Sequence, residues 1–124
     1  MNEIIIRAQS SYLAKNSMLA LFKSGDFNAL YARFQYCISK GLPPLDKPEN
    51  YPLMLEGYLA KEPTRIYVTS LTAGYNGTGP NALVAILKAA GFTFDENDIL
   101  TGRNVKAEYP KSRKEEWIRL TFRK

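Results

Sequence analysis

Apolar side chains recur at helical spacing in the N-terminal third of the chain. From Ser10 to Lys23 they fit one helical face, and Ser10 or Ser11 can cap the first turn. A second stretch follows Ser24-Gly25, with Asp26 as its N-cap and Gly41 as its stop. Its apolar residues are three or four positions apart, namely Phe27, Leu30, Tyr31, Phe34, Cys37 and Ile38. The pattern predicts a helical hairpin over Ser10 to Lys40.

Strand patterns flank this region. The short apolar run from Glu3 to Arg7 predicts a buried strand, and β-branched and aromatic residues predict another over Arg65 to Leu71. A glycine-rich turn at Gly74 to Pro80 then leads into a helix with an apolar stripe of Leu83, Ile86, Leu87 and Ala90. The segment from Leu53 to Ala60 fits either a strand with alternating apolar residues or a helix, and its composition favours the helix.

The C-terminal segment alternates with a period of two. Val105, Ala107 and Tyr109 form one apolar series, and Ile118, Leu120 and Phe122 form another. The polar connection between them predicts a β-hairpin with Trp117 and Arg119 on its outward side. We therefore expect an α+β fold in which an N-terminal helical hairpin and a further helix pack on a small, mainly antiparallel sheet that ends in this hairpin.

Length and composition agree with one globular domain over residues 1–124. Apolar residues make up 45% of the chain and charged residues 23%, which are ordinary values for a folded domain. No apolar run approaches the roughly 18 residues of a membrane span, and the N-terminus lacks the pattern of a signal peptide. The single cysteine, Cys37, is expected to be a core residue. These features predict a cytoplasmic protein.

The net charge of +5 is concentrated at one end. Residues 1–102 carry nine basic and nine acidic residues, whereas residues 103–124 carry eight basic and three acidic ones. A local positive potential of this kind attracts an acidic protein surface or a phosphate backbone, although it can also be a solubilising edge. The predicted binding residues of this segment are Arg103, Lys106, Lys111, Arg113, Lys114, Trp117, Arg119 and Arg123.

The glycine turn lacks both common nucleotide-binding motifs. Its glycines, at 74, 77 and 79, do not have dinucleotide-binding spacing, and Pro80-Asn81 stand where a P-loop requires Lys and Ser/Thr. A tight strand-to-helix junction explains the glycines, because they permit backbone angles that other residues avoid. The alternative is a functional loop that presents Tyr75, Asn76 and Thr78 to a partner or ligand.

The absence of histidine excludes the commonest catalytic groups. Imidazole bases, Ser-His and Cys-His pairs and histidine metal sites are unavailable. The acidic cluster of Asp95, Glu96 and Asp98 lacks the spacing of an EF-hand loop. A histidine-free nuclease that uses Arg65, Tyr67 and a glutamate is conceivable, but no spacing supports it. We expect no enzymatic activity, no cofactor and no metal.

Binding is therefore the predicted activity. Aromatic and arginine residues beside a charged strip are typical of protein interfaces. In general character, without any shared motif, the chain resembles the small immunity proteins that neutralise bacterial toxins. This resemblance implies a module that occludes a partner enzyme through an acidic surface on that partner. The alternative is nucleic-acid binding, with the basic residues on phosphates and Trp117 or Tyr109 stacked on bases.

Overall fold

A five-stranded mixed sheet and three helices form the protein in the computed structural model, which describes residues 1–24, 27–37, 46–101 and 117–124. The strands lie in the order β1-β4-β3-β2-β5, and only the β1–β4 pair is parallel. The fold is α+β. Its elements are β1 (Asn2–Ile6), α1 (Ser11–Lys23), β2 (Phe27–Cys37), a 3-10 turn (Pro48–Asn50), β3 (Leu53–Leu59), β4 (Glu62–Val68), α2 (Thr78–Ala89), α3 (Asn97–Leu100) and β5 (Trp117–Arg123).

The main core lies between one face of the sheet and the helices α1 and α2. Phe34, Leu55 and Ile66 project from three adjacent strands and are fully buried. Leu83 and Leu87 of the predicted helical stripe face them and are also fully buried. Alternation along each strand places the other side chains on the opposite face of the sheet, which we call the outer face.

The predicted helical hairpin over Ser10 to Lys40 is wrong, because its second half is strand β2. A β-bulge between Ala29 and Tyr31 explains the misleading pattern. The bulge adds Leu30 to the strand, so the inward positions are 27, 29, 32 and 34. The apparent spacing of three and four combined inward Phe27 and Phe34 with Leu30 and Tyr31 of the outer face. The predicted cap Asp26 and the stop Gly41 lie outside the described residues.

The helical interpretation of Leu53 to Ala60 is also wrong. Strand β3 is the centre of the sheet and pairs with both β2 and β4, and its first three residues, Leu53–Leu55, are buried on both faces. Such strands are continuously apolar and lose the alternation that identifies a strand. Ala60 and Lys61, with φ angles of 50° and 68°, form the tight turn into β4 without the usual Asn-Gly signal.

The remaining elements agree better with the prediction. The strand at Glu3 to Arg7, the strand at Arg65 to Leu71, the glycine turn and the following helix are all present, with β4 observed over Glu62–Val68. The C-terminal strand is also present, but it is antiparallel to β2 at one end of the strand order. Its predicted hairpin partner around Val105 to Tyr109 lies outside the described residues, so the sheet as described does not end in the predicted hairpin.

Candidate binding surface on the outer face

The outer face carries three arginines on the two neighbouring strands β2 and β5. Arg33 lies opposite Thr121, which stands between Arg119 and Arg123 along β5. Strand geometry puts the three Cα atoms within about 14 Å of one another. Neither strand contains an aspartate or glutamate. We call Arg33, Arg119 and Arg123 the basic strip.

Two of these arginines are held against aromatic rings. The guanidinium carbon of Arg119 lies 4.8 Å from the centroid of the Trp117 ring, and that of Arg123 lies 4.6 Å from the centroid of the Tyr31 ring. Both distances are within the range of cation–π attraction. The rings limit the freedom of the long arginine side chains, so less conformational entropy would be lost when a partner binds.

Arg33 has an incompletely satisfied guanidinium. Its NH2 group donates a long hydrogen bond of 3.4 Å to the carbonyl oxygen of Glu49. Its Nε is buried and has no hydrogen-bond partner within the described ranges. A buried donor without an acceptor is unfavourable, and an anionic group that reoriented this guanidinium would relieve the cost.

A small second core supports the other half of the outer face. Tyr51 is fully buried and packs with Met54 and Tyr67, and Tyr31 lies against this cluster. Arg7 Nε donates a 2.9 Å hydrogen bond to the Tyr51 hydroxyl. The cluster connects β2, β3 and β4 to the segment before β3, so this half of the outer face is a packed platform.

Arg65, Glu56 and Tyr67 are brought together on this platform. Arg65 Nε and NH2 lie 2.9 and 2.7 Å from Oε1 of Glu56, and Arg65 NH1 lies 3.4 Å from the Tyr67 hydroxyl. These hydrogen bonds, to Tyr67 and then to Glu56, raise the pKa of the Arg65 guanidinium. The residues of the conceivable nuclease are thus adjacent, but they are bonded to one another and Tyr67 is 8% exposed.

The predicted binding residues fall into three groups. Trp117, Arg119 and Arg123 are on the outer face of β5, as the alternation with buried Ile118 and Phe122 predicted. Arg103, Lys106, Lys111, Arg113 and Lys114 lie outside the described residues. Tyr75, Asn76 and Thr78 are exposed at the glycine turn. Sequence reasoning missed Tyr31 and Arg33, because assigning β2 to a helix hid that they share a face with Arg123.

The glycine turn is tightly packed around Tyr75. The Tyr75 hydroxyl is 2.8 Å from Oγ1 of Thr72, and a Cβ atom at Gly77 would lie 2.5 Å from the Tyr75 ring. A Cβ atom at Gly79 would lie 1.9 Å from Oγ1 of Thr72. These two glycines therefore make room for the ring and the hydroxyl of their neighbours, while 49% of Tyr75 stays exposed.

The glycine turn leads directly into α2, which packs on the main core. Burial, followed by the proximity of Tyr75 and then of Cys37, raises the pKa of the Tyr36 phenol. Tyr36 packs against the main core, whereas Trp117 is on the outer face beside buried Cys37. The turn and the basic strip are therefore on opposite faces of the sheet.

Replacing Tyr75 with phenylalanine tests the packing of the turn. Loss of the hydrogen bond to Thr72 is expected to lower the free energy of unfolding by about 1 kcal/mol. Urea denaturation measures this change, and Tyr12→Phe on the exposed side of α1 is the matched control with no expected effect. Equal stability of the Tyr75 variant and the wild-type protein would contradict the Thr72–Tyr75 bond.

Other kinds of site are not apparent in the described parts of the chain. No group of three or more acidic or cysteine side chains is placed to hold a metal ion within those ranges. None of the described helices has the length and apolar character needed to cross a membrane. No protein-family model matches the chain, and neither a curated protein nor a solved structure is significantly similar to it.

Proposed function

We propose that this protein is a non-catalytic protein-binding module of the inhibitor or immunity type, which occludes a partner enzyme such as a toxin. The observation that carries this proposal is the pair of arginine–aromatic contacts on the basic strip, Arg119 with Trp117 and Arg123 with Tyr31. Arginine, tryptophan and tyrosine dominate the binding energy of protein interfaces. Side chains that are held in place before binding lose less conformational entropy, and they therefore contribute more to the affinity.

The expected partner presents an acidic surface to the basic strip. Arg33 carries a buried donor that lacks an acceptor among the described residues, and Arg123 lies on a strand that contains no acidic residue. Carboxylates accept charge-assisted hydrogen bonds from guanidinium groups, often in pairs. An enzyme whose active site is itself acidic would be blocked in this way.

Nucleic-acid binding is the second candidate, because the same three arginines could contact phosphates. Base stacking is less well supported. The Trp117 and Tyr31 rings each have one face covered by a guanidinium group, so a base would have to displace that group or use the other face. This contact is why we favour a protein partner.

Charge reversal on the strip tests the proposal. The partner is isolated as a stoichiometric complex from native cells, and its enzymatic activity is measured with and without the purified protein. Arg119→Glu and Arg123→Glu are each expected to weaken the complex and the inhibition by about 10- to 100-fold, the range for interface arginines. Lys61→Glu makes the same charge change in the exposed β3–β4 turn and is expected to leave both unchanged.

A parallel measurement distinguishes nucleic-acid binding from the inhibitor function. The fluorescence anisotropy of labelled single-stranded RNA and DNA is followed at about 50 and 200 mM salt, across which phosphate contacts lose affinity steeply. Salt-sensitive binding that Arg119→Glu abolishes, with no protein partner found, would replace the inhibitor proposal with the nucleic-acid one. An inhibited partner enzyme and no such binding would support the inhibitor.

A further inference from the structure

A depression of about 170 Å³ opens on the outer face, beside the basic strip. It lies where β1 and β4 begin and β3 ends, so it is at one end of the sheet. The side chains that line it are Met1, Leu30, Tyr31, Glu56, Tyr58 and Pro63, together with the backbone of Gly57. It is separate from the glycine turn and from the Trp117 end of β5.

The bulge in β2 and the glycine in β3 create this depression. Leu30 is the additional residue of the bulge, so both Leu30 and Tyr31 project from the outer face. Gly57 lies beside the bulge, where a Cβ atom would be 1.9 Å from the carbonyl oxygen of Asn28. The two strands can approach this closely only because position 57 has no side chain.

The walls are apolar and accessible. Met1, Leu30 and Tyr58 are 71%, 43% and 46% exposed, which is unusual for such large apolar side chains on one side of one sheet. With Pro63 they form a continuous apolar lining. The area is therefore suited to an apolar group that displaces water from all four residues.

Glu56 supplies the one charged side chain of the lining. Its Oε1 atom accepts both hydrogen bonds from Arg65, and its Oε2 atom has no hydrogen bond within the described part of the chain. An occupant without a donor would remove water from this oxygen and leave it unsatisfied, which is costly for a carboxylate. The occupant must therefore carry a hydrogen-bond donor at one end.

The size of the depression and the charges around it restrict the chemistry of its occupant further. The volume is below the roughly 300 Å³ at which ordinary ligand pockets begin, and it is close to the roughly 150 Å³ that accommodates one benzene molecule. A single aromatic ring fits this volume. Arg65 is bonded to Glu56, and Arg123 lies against Tyr31, so an ammonium donor would meet two cations. A neutral donor on one aromatic ring meets these conditions, and among protein side chains the phenol of tyrosine is such a group.

We propose that this depression binds the side chain of a tyrosine presented by the protein partner, with the phenol hydroxyl donating to Oε2 of Glu56. The source of the tyrosine rests on the proposed function, but the phenol site itself does not. The partner would place its tyrosine in the depression and its carboxylates on the basic strip, so that an apolar anchor and a charged contact lie side by side.

The experiment uses p-cresol, the side-chain analogue of tyrosine, as the probe. Backbone amide signals of the ¹⁵N-labelled protein are followed during titration with p-cresol and with 4-methylanisole, in which a methyl group replaces the donated proton. We expect p-cresol to shift the amide signals of Leu30, Tyr31, Gly57 and Tyr58. Binding of 4-methylanisole is expected to be about tenfold weaker, because a hydrogen bond to a carboxylate is lost.

Two variants and a control complete the test. Glu56→Gln keeps the shape but removes the charge, and it is expected to reduce the preference for p-cresol over 4-methylanisole to about threefold or less. Leu30→Ala removes part of the wall and is expected to weaken both probes. Tyr12→Ala, at a position 59% exposed on α1, is expected to change neither titration.

The outcomes are distinct. Absence of shifts at the lining amides, or equal binding of the two probes by the wild-type protein, would overturn the phenol site. A partner complex that is insensitive to Leu30→Ala and Glu56→Gln would overturn its role in the interface while leaving the proposed function intact. If p-cresol binds but no protein partner can be isolated from native cells, the proposed function is refuted and the phenol site stands.

Discussion

Replacing Gly57 with alanine is expected to destabilise the protein by at least about 3 kcal/mol, the upper end of the usual cost of overpacking. The new Cβ atom would lie 1.9 Å from the carbonyl oxygen of Asn28 and 2.9 Å from Cα of Ala29. These are backbone atoms of the neighbouring strand, so no side-chain rotation can relieve the contact. Strands β2 and β3 would have to separate at the bulge, at the cost of their hydrogen bonds.

Urea denaturation followed by circular dichroism measures this loss, and Gly77→Ala is the matched control. At Gly77 the atoms nearest to the new Cβ atom belong to the Tyr75 ring, which is half-exposed and can move aside. We expect the control to cost about 1 kcal/mol, mainly through the bond between Tyr75 and Thr72. If the two alanine variants had the same unfolding midpoint, the close approach of β2 to β3 would be refuted.

Replacing Phe34 with alanine is expected to lower the free energy of unfolding by about 3 to 5 kcal/mol, the usual cost of deleting a buried phenylalanine. Phe34 is fully buried at the centre of the main core, between β2 and the helices. The cavity left by the ring would be surrounded by side chains of three strands and could collapse only in part.

Leu30→Ala is the informative comparison for Phe34→Ala. Positions 30 and 34 would share a buried face in a helix, whereas in the bulged strand Leu30 is on the outer face and 43% exposed. We expect Leu30→Ala to cost about 1 kcal/mol or less in the absence of a partner. Similar losses for the two variants would favour the helical assignment of this segment and contradict the strand.

The difficulty with β2 shows where local patterns fail. A periodicity argument counts positions as if the strand were regular, and one additional residue at Leu30 is enough to shift the phase. Ala29 and Ala32 are buried inward positions, but alanine also favours helices and does not stand out as a core residue. The bulge is stabilised by Gly57 in another strand, so no local window contains the information needed to predict it.

The elements that local patterns identify well are those with uninterrupted periodicity. Helix α2 keeps one apolar stripe, and β5 keeps a clean alternation that correctly placed Arg119 and Trp117 on the outward side. The partner of β5 could not be predicted in this way, because pairing with β2 depends on residues 117–123 meeting residues 31–37. The sequence therefore predicted only part of the basic strip, because the position of Arg33 beside β5 depends on this pairing.

The strand order also determines when each part of the sheet can form during synthesis on the ribosome. Strand β1 emerges first, but its neighbour β4 is made about 60 residues later, after 3 to 12 seconds at ordinary elongation rates. Strand β2 can pair early with β3, whereas β5 appears only after α2 and α3. The nascent chain must therefore carry the three isoleucines of β1 unpaired until β4 is available. Molecular chaperones that bind short apolar segments would have their best opportunity in that interval.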